Sequence, residues 1–379
     1  MSRCVIFIST GLGAGGAETA LLRLSRQLSD MGTRCGVVSL SDEGVIGPEL
    51  RRSAIPVWCL GLRQTMRWPL ALSQLRSALV KLRPTVVQGW MYHGNLAATM
   101  AARLIQPAPA LAWSVRQSLA SPSLDRMTTH LAIKLGAYFS RQADVIIYNS
   151  SVARVGHEAM GFRSEKAQVL PNGFDVSAPR PDPQAIQAVR HELRVSSTAP
   201  LIGHVARWHP VKDHRTLLSA AAWITQRCSE AVFALVGDGV DDHNKDLNTA
   251  IATLGLQRNV RLLGRRTDTV RLQSAFDVAC LSSCAESFPN AIGEAMCAGV
   301  PCVSTAVGDV TNLIADTGRV VPVGDADAFG AALLDLISLE PIRLRELGSR
   351  ARQRIVDHYS IDSVAGRYAS VYDELVVTE

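Results

Sequence analysis

The feature that most constrains this chain is a repeated alternation. Short, continuously apolar, β-rich runs are separated by segments of helical periodicity. CVIFIS (residues 4–9) comes first, then the loop GLGAGGAE, then TALLRLSRQLSDMG, an amphipathic helix ending at Gly32. RCGVVSLS, TVVQGW, ALAWSV and DVIIYNS continue the pattern. A strand that is apolar throughout has both faces buried, so helices must cover both sides of a parallel sheet. The alternation breaks at VLPNGFDVSAPRPDPQAI, where Pro171, Asn172, Gly173, Pro179, Pro181 and Pro183 form a turn-rich linker. It restarts with APLIGHVARW, AVFALVGDG, NVRLLG, DVACLSS, GVPCVSTAVG and TGRVVPVG. The pattern predicts an α/β chain of two Rossmann-like, doubly wound parallel-sheet domains facing a cleft. The first is expected over 1–172 and the second over 173–360, with a C-terminal helix at about 361–379 packing back on the first. Ligands of such sheets sit beyond the carboxyl ends of the strands, and a cleft between two domains is the default site.

Length and composition agree with a folded chain of two domains: 379 residues, 47% apolar and 19% charged. The eight cysteines show no CxxC and no Cys/His ligand spacing. Most lie in apolar runs and read as small buried hydrophobes in a reducing, cytoplasmic compartment. No secretion signal is visible, and no apolar run reaches the roughly 18–20 residues of a membrane span. The charge is uneven. Residues 1–170 hold 19 Lys and Arg against 9 Asp and Glu, whereas residues 171–379 hold 20 against 25. A basic first half suits an anionic membrane surface or a phosphate-bearing acceptor, or is simply a solvated basic face. Dispersed cations and few aromatics argue against nucleic acid.

Three stretches can carry chemistry. In Gly11-Leu-Gly-Ala-Gly-Gly16-Ala-Glu18, four glycines let a backbone approach a ligand ahead of a helix start that favours an anion. The second strand offers no acid for a ribose, so a tight packing turn explains the loop as well. In HVARWHPVKDHRTLL, Arg207 follows a strand and Lys212 precedes Asp213, a plausible helix N-cap. Two cations there could grip a diphosphate, or be ordinary surface charges. In ESFPNAIGEAM, Glu286 precedes a helix start and Glu294 lies more than a turn inside it. Capping accounts for Ser287, and Pro289 suits the first helical turn, but capping does not account for Glu294.

The run CAESFPNAIGEAMCAGVPCVST resembles the C-terminal signature of the retaining glycosyltransferases of family 4, enzymes of the GT-B fold. It shows the E-x7-E pattern, Glu286 to Glu294, and then A-M-x-A-G-x-P-V-V with Cys302 at the first valine. GGAE at 15–18, WMYHGN at 90–95, VIIYNS at 145–150, LPNGFD at 170–175, VARWHPVKD at 205–213, VGDG at 236–239 and LLGRRTD at 262–268 extend the likeness over nearly the whole chain. Ala206 departs from it, standing where many members have glycine.

The resemblance implies a hexosyltransferase-type enzyme moving a sugar from a nucleotide sugar, most simply a UDP-sugar, to a lipid-linked or surface-glycan acceptor. It implies that Arg207 and Lys212 neutralise the departing diphosphate, that Glu294 holds the ribose and that Glu286 meets the transferred sugar. Ser287, Phe288, Pro289 and Asn290 would bring main-chain groups to the donor, with Leu263 beside it. His93 would lie near the reacting sugar, or be a satisfied core histidine. Gly13, Gly15 and Gly16 would form the acceptor-side loop, with Gly16 reaching the donor. No cofactor or metal is expected, because the two cations can do what Mg²⁺ would do. A peripheral position at the inner face of the membrane follows from the basic half. A nucleotide-sugar epimerase of the same fold, or a non-catalytic sugar-nucleotide-binding module, are the alternatives.

Overall fold

In the computed structural model the described residues are 3–62, 68–119, 127–177 and 182–377. Pro179 and Pro181 of the linker lie outside them. The chain divides into two compact units: unit 1 is Met1–Gly173 with Tyr359–Glu379, and unit 2 is Phe174–His358.

Unit 1 holds a seven-stranded parallel sheet of β1 (Cys4–Ser9), β2 (Arg34–Ser39), β3 (Val57–Cys59), β4 (Val86–Trp90), β5 (Ala110–Val115), β6 (Val145–Tyr148) and β7 (Ala167–Val169), in the order β3-β2-β1-β4-β5-β6-β7. All six residues of β1 are buried, as a strand covered on both faces requires. One face packs under α1 (Gly16–Asp30) and α2 (Ile46–Arg52). The other packs under α3 (Trp68–Leu82), α4 (Met91–Ala101), α5 (Met127–Phe139) and α6 (Ser151–Ala159). Gly32 ends the first helix segment with φ +85°, a left-handed conformation that glycine adopts without strain.

Unit 2 holds a six-stranded parallel sheet of β8 (Leu201–Val205), β9 (Val232–Val236), β10 (Val260–Leu262), β11 (Val278–Leu281), β12 (Cys302–Thr305) and β13 (Gly318–Val321), in the order β10-β9-β8-β11-β12-β13. Its helices are α7 (Pro183–Glu192), α8 (His214–Thr225), α9 (Lys245–Thr253), α10 (Thr269–Gln273), α11 (Asn290–Cys297), α12 (Val310–Ile314), α13 (Ala326–Ile337) and α14 (Pro341–Tyr359).

The last helix, α15 (Ile361–Val377), belongs to unit 1. Val364, Ala365, Tyr368, Ala369, Val371 and Tyr372 enter the core under β1, β4 and β5. The Tyr372 hydroxyl donates to buried Gln88 of β4. Arg116, just past β5, donates to the Tyr368 hydroxyl at 3.0 Å and to the Asn172 amide oxygen, and its guanidinium lies 4.2 Å from the Trp90 ring centroid. Helix α15 thus supplies core and hydrogen-bond partners that the first 173 residues lack. All eight cysteines are free; Cys4, Cys35, Cys280 and Cys302 are buried, but Cys284 is exposed at the end of β11.

In each sheet the chain order reverses at one place. In unit 1 this lies between β1 and β4, and in unit 2 between β8 and β11. Helices leave to opposite faces there, which opens a crevice at the carboxyl ends of the two strands.

Candidate active site

In unit 2 the segments after β8 and β11 flank that crevice, and they carry the cations and acids singled out in the sequence. Arg207 follows β8 by two residues and is exposed. The chain then makes a 3₁₀ turn, Pro210–Lys212, before α8. Asp213 caps α8: its carboxylate accepts from the Thr216 amide at 3.2 Å and the Thr216 hydroxyl at 2.6 Å. Asp213 has φ +44°, a strained value for a non-glycine residue, which the two bonds hold in place.

Lys212 ends the turn, and its Nζ pairs with Glu286 Oε1. Ser283 Oγ donates to the same oxygen at 2.8 Å. Both bonds converge on Oε1, so Oε2 is the oxygen presented to a further donor. Two contacts fix the distance between the two segments, and a third ties the second segment to β12. Ser282 Oγ donates to the Lys212 carbonyl at 2.9 Å, the Cys284 amide to the Val211 carbonyl at 2.8 Å, and Thr305 Oγ1 to the Ser283 carbonyl at 2.6 Å.

Glu286 and Ser287 are also held from β12. A Cβ on Gly308, where φ is +52°, would lie 2.3 Å from the Ser287 carbonyl oxygen, so only glycine lets this loop approach. The Asp309 amide donates to that carbonyl at 3.2 Å. Gly237 does the same beside Arg207: its Cβ would stand 2.1 Å from the Ala206 carbonyl oxygen. Ala206, the departure from the family pattern, is buried and donates to the Val236 carbonyl at 2.9 Å, so the alanine is accommodated.

Helix α11 begins at Asn290, and Pro289 is its N-cap rather than a residue of its first turn. This corrects the expectation for Pro289. Ser287 lies two residues before the cap. Pro289 itself offers the first N–H groups of α11 no side-chain acceptor. Glu294 lies four residues into α11, about 6 Å along the axis at ~1.5 Å per residue. Phe174 seats the helix: a Cβ on Gly293 would fall 2.0 Å from its ring, and that ring stacks on Phe288 with centroids 6.2 Å apart. At the other end Arg352 donates to the Cys297 carbonyl and, at 3.0 Å, to the Val176 carbonyl. A cation there complements the helix dipole and leaves the positive end toward the crevice.

The histidines around the cations are held uncharged. Burial pushes His214 down to about 4, with Lys212 adding to the effect, and holds His204 well below the ordinary imidazole range. His209, more open, is lowered by burial and then by Arg207 and Lys212. The rings of His204 and His214 meet edge to face at 4.9 Å. Leu263 follows β10, its amide donating to the Leu235 carbonyl at 2.9 Å. It lies three strands from β11 in the sheet order, beyond β9 and β8.

In unit 1 the glycine loop follows β1 and His93 follows β4, the two strands at the reversal. Gly13, Gly15 and Gly16 are exposed. Gly15 caps α1, and a Cβ on it would lie 2.4 Å from a Glu18 carboxylate oxygen. Glu18 thus occupies the start of α1, and an anion arriving there meets a carboxylate first. His93 is half-buried in the first turn of α4, after Met91 with φ +68°. Gly94 touches the end of β1, where a Cβ would stand 2.2 Å from the Ile8 carbonyl oxygen. Asn95 is structural: its side chain exchanges two hydrogen bonds with the Ser114 backbone, at 3.1 and 3.2 Å.

The sequence reading missed Ser282, Ser283, Gly308 and Phe174. A serine pair after an apolar strand and a lone glycine after another carry no distinctive signal by themselves.

Two family models match this chain. One, Glycosyltransferase Family 4, covers residues 14–178, and the other, Glycosyl transferases group 1, covers residues 199–338. The chain belongs to the family 4, group 1 glycosyltransferases. Among curated relatives, the N-acetyl-alpha-D-glucosaminyl L-malate synthase of Bacillus anthracis is 27% identical over 190 residues, 50% of this chain, and the match spans about half of that relative (49%). The lipopolysaccharide core biosynthesis glycosyltransferase LpsE of Rhizobium meliloti is 26% identical over 70% of this chain and 76% of its own length. The crystal structure of Anabaena HepE in complex with UDP and glucose matches with a TM-score of 0.84 at 23% identity, covering 98% of this chain and 100% of that one. The two parallel-sheet units are those of the GT-B fold.

Proposed function

We propose that this glycosyltransferase family member is a retaining enzyme that moves a sugar from a UDP-sugar to a lipid-linked or surface-glycan acceptor. The observation that carries the reading is the Lys212–Glu286 pair beside Arg207 and the start of α11, all at the strand reversal of unit 2. When a glycosyl–phosphate bond breaks, negative charge grows on the departing diphosphate and positive charge on the sugar. Lys212, Arg207 and the first N–H groups of α11 would stabilise the former, and a preorganised group of this kind acts most strongly in the transition state. Glu286, fixed through Oε1, would present Oε2 to a sugar hydroxyl. Glu294 would accept from the ribose, with Leu263 beside the donor and the main chain of Ser287, Phe288, Pro289 and Asn290 around it. In unit 1, His93 would serve the reacting sugar, and Gly13, Gly15 and Gly16 the acceptor.

UDP as the leaving group is supported by the UDP bound to HepE, and a glycolipid acceptor by LpsE and by the basic first half of the chain. In this reading the cations supply the positive charge, and the reaction needs no metal. The protein works at the inner face of the membrane as a peripheral protein; no helix among the described residues is long and apolar enough to cross a bilayer.

The test is incubation with a panel of nucleotide sugars, with and without lipid-linked acceptors, reading free UDP and the anomeric configuration of the product. Acceptor-dependent UDP release with retained configuration is expected. An isomeric UDP-sugar formed without acceptor, or no UDP release from any donor, would overturn the reading.

A further inference from the structure

The helical layer α3–α6 on one face of the unit 1 sheet combines two surface properties that ordinary solvent-facing helices avoid. Helix α5 is apolar on both sides. Ala132, Ile133 and Gly136 face the core. On the opposite side Met127, Leu131, Leu135 and Tyr138, spaced by 4, 4 and 3 residues, form one stripe with exposures of 87, 58, 41 and 71%. A helix that is hydrophobic all round is normally covered. Met100 on α4, which packs against α5, and Leu70, Leu72 and Val80 on α3 are exposed as well.

The second property is charge. From Trp68 to Ala143 the sequence holds eight Lys and Arg and one acid, Asp125; Asp125 and Arg126 lie outside the described residues, and Arg116 is buried. Lys134 is exposed and, at about 100° per residue, falls along one edge of the α5 stripe; Arg141, in the 3₁₀ turn Ser140–Gln142 that follows α5, is exposed too. Arg103 is exposed at the end of α4 and donates to Gln142 at 2.5 Å.

We propose that this face seats on an anionic lipid bilayer, with α5 lying in the interfacial plane. Met127, Leu131 and Leu135 would enter the boundary between headgroups and acyl chains. Tyr138 would sit at headgroup level, and Arg103, Lys134 and Arg141 would meet lipid phosphates. Charge decides between occupants. A second copy docking by the same face would bring cations against cations, with no acid on α3, α4 or α5 to pair them. A surface of lipid phosphates over hydrocarbon complements both the cations and the stripe. The proposal rests on the membrane-peripheral reading above and names the face that serves it.

The experiment is co-sedimentation of the full chain with phosphatidylglycerol–phosphatidylcholine vesicles and with phosphatidylcholine alone, at low and high salt. The paired variants are Leu131→Glu/Tyr138→Glu and Lys134→Glu/Arg141→Glu. UDP binding by calorimetry and the thermal melt of each variant report the fold and the donor site independently. Wild type is expected to bind anionic vesicles at least tenfold more tightly than neutral ones. Each pair should lose at least tenfold in vesicle binding while melting as wild type and binding UDP unchanged.

Wild type left in the supernatant, or both pairs binding like wild type, would overturn the proposal. So would a wild-type dimer in solution that Leu131→Glu/Tyr138→Glu splits, since that assigns the face to a second copy. Vesicle binding without UDP binding would leave the docking face standing and remove the UDP donor. UDP binding without vesicle binding would do the reverse.

Discussion

Replacing Lys212 by alanine separates two jobs that this lysine performs. Its side chain is 21% exposed and that of Glu286 15%, so the pair is partly shielded from water. Without the ammonium, Glu286 keeps only the Ser283 bond of the two on Oε1. Leaving such a carboxylate half-paired costs about 1–3 kcal/mol of unit 2 stability. The chemical cost is larger. A cation placed on the departing diphosphate acts like an oxyanion-hole donor, worth about 3–4 kcal/mol, or roughly 10²–10³ in kcat. The double variant Lys212→Ala/Glu286→Gln should recover most of the lost stability, because no unpaired charge remains, and none of the lost turnover. The assay is UDP release at saturating donor, paired with urea melts of all four proteins in the cycle. A Lys212→Ala enzyme within tenfold of wild type in kcat would remove the lysine from the mechanism. A double variant no more stable than Lys212→Ala would show that the ion pair does not brace the loop.

Gly293→Ala should destabilise unit 2 by about 1–3 kcal/mol, since its methyl would fall 2.0 Å from the Phe174 ring; Phe174→Leu in the same chain should recover part of the loss in a melt. Acid should destabilise both units. Burial lowers His157 in unit 1 and His214 in unit 2 to about 4, so between about 6.5 and 4 the unfolded chain binds more protons than the folded one. Stability is then fully present above about 6.5 and falls with pH by ~3 kcal/mol per histidine, and His214→Phe should flatten the unit 2 part of a melt series from pH 7 to pH 4.5. Under the proposed mechanism, EDTA should leave transfer unchanged; loss of turnover restored by Mg²⁺ would refute the assignment of that charge to Arg207 and Lys212.

Strands β1, β2, β4, β5, β6 and β8–β13 were legible, since all lie in the apolar runs read from the sequence; β10, only three residues at a sheet edge, is marked by the longer run NVRLLG around it. Strands β3 and β7, three residues each at the sheet edges, were not, because VWC and AQV are too short to show a period. In the candidate site the sequence pointed to Arg207, Lys212, Glu286 and Glu294 through their spacing and family pattern. It did not show that Lys212 and Glu286 pair, because 74 residues separate them and only the adjacency of β8 and β11 joins them. The start of α11 was off by one residue, since proline suits an N-cap and a first turn alike.

The return of α15 to unit 1 sets an order of events on the ribosome. The seven strands of unit 1 are synthesised first, yet the helix carrying Val364, Tyr368 and Tyr372 follows only after all of unit 2 has been made. Unit 2 has every element of its core as soon as His358 has emerged. Unit 1 must wait, with an apolar face uncovered and Gln88 and Arg116 short of the tyrosine hydroxyls that later bond them. A nascent chain of this protein therefore depends longest on chaperone protection in the part that is translated earliest.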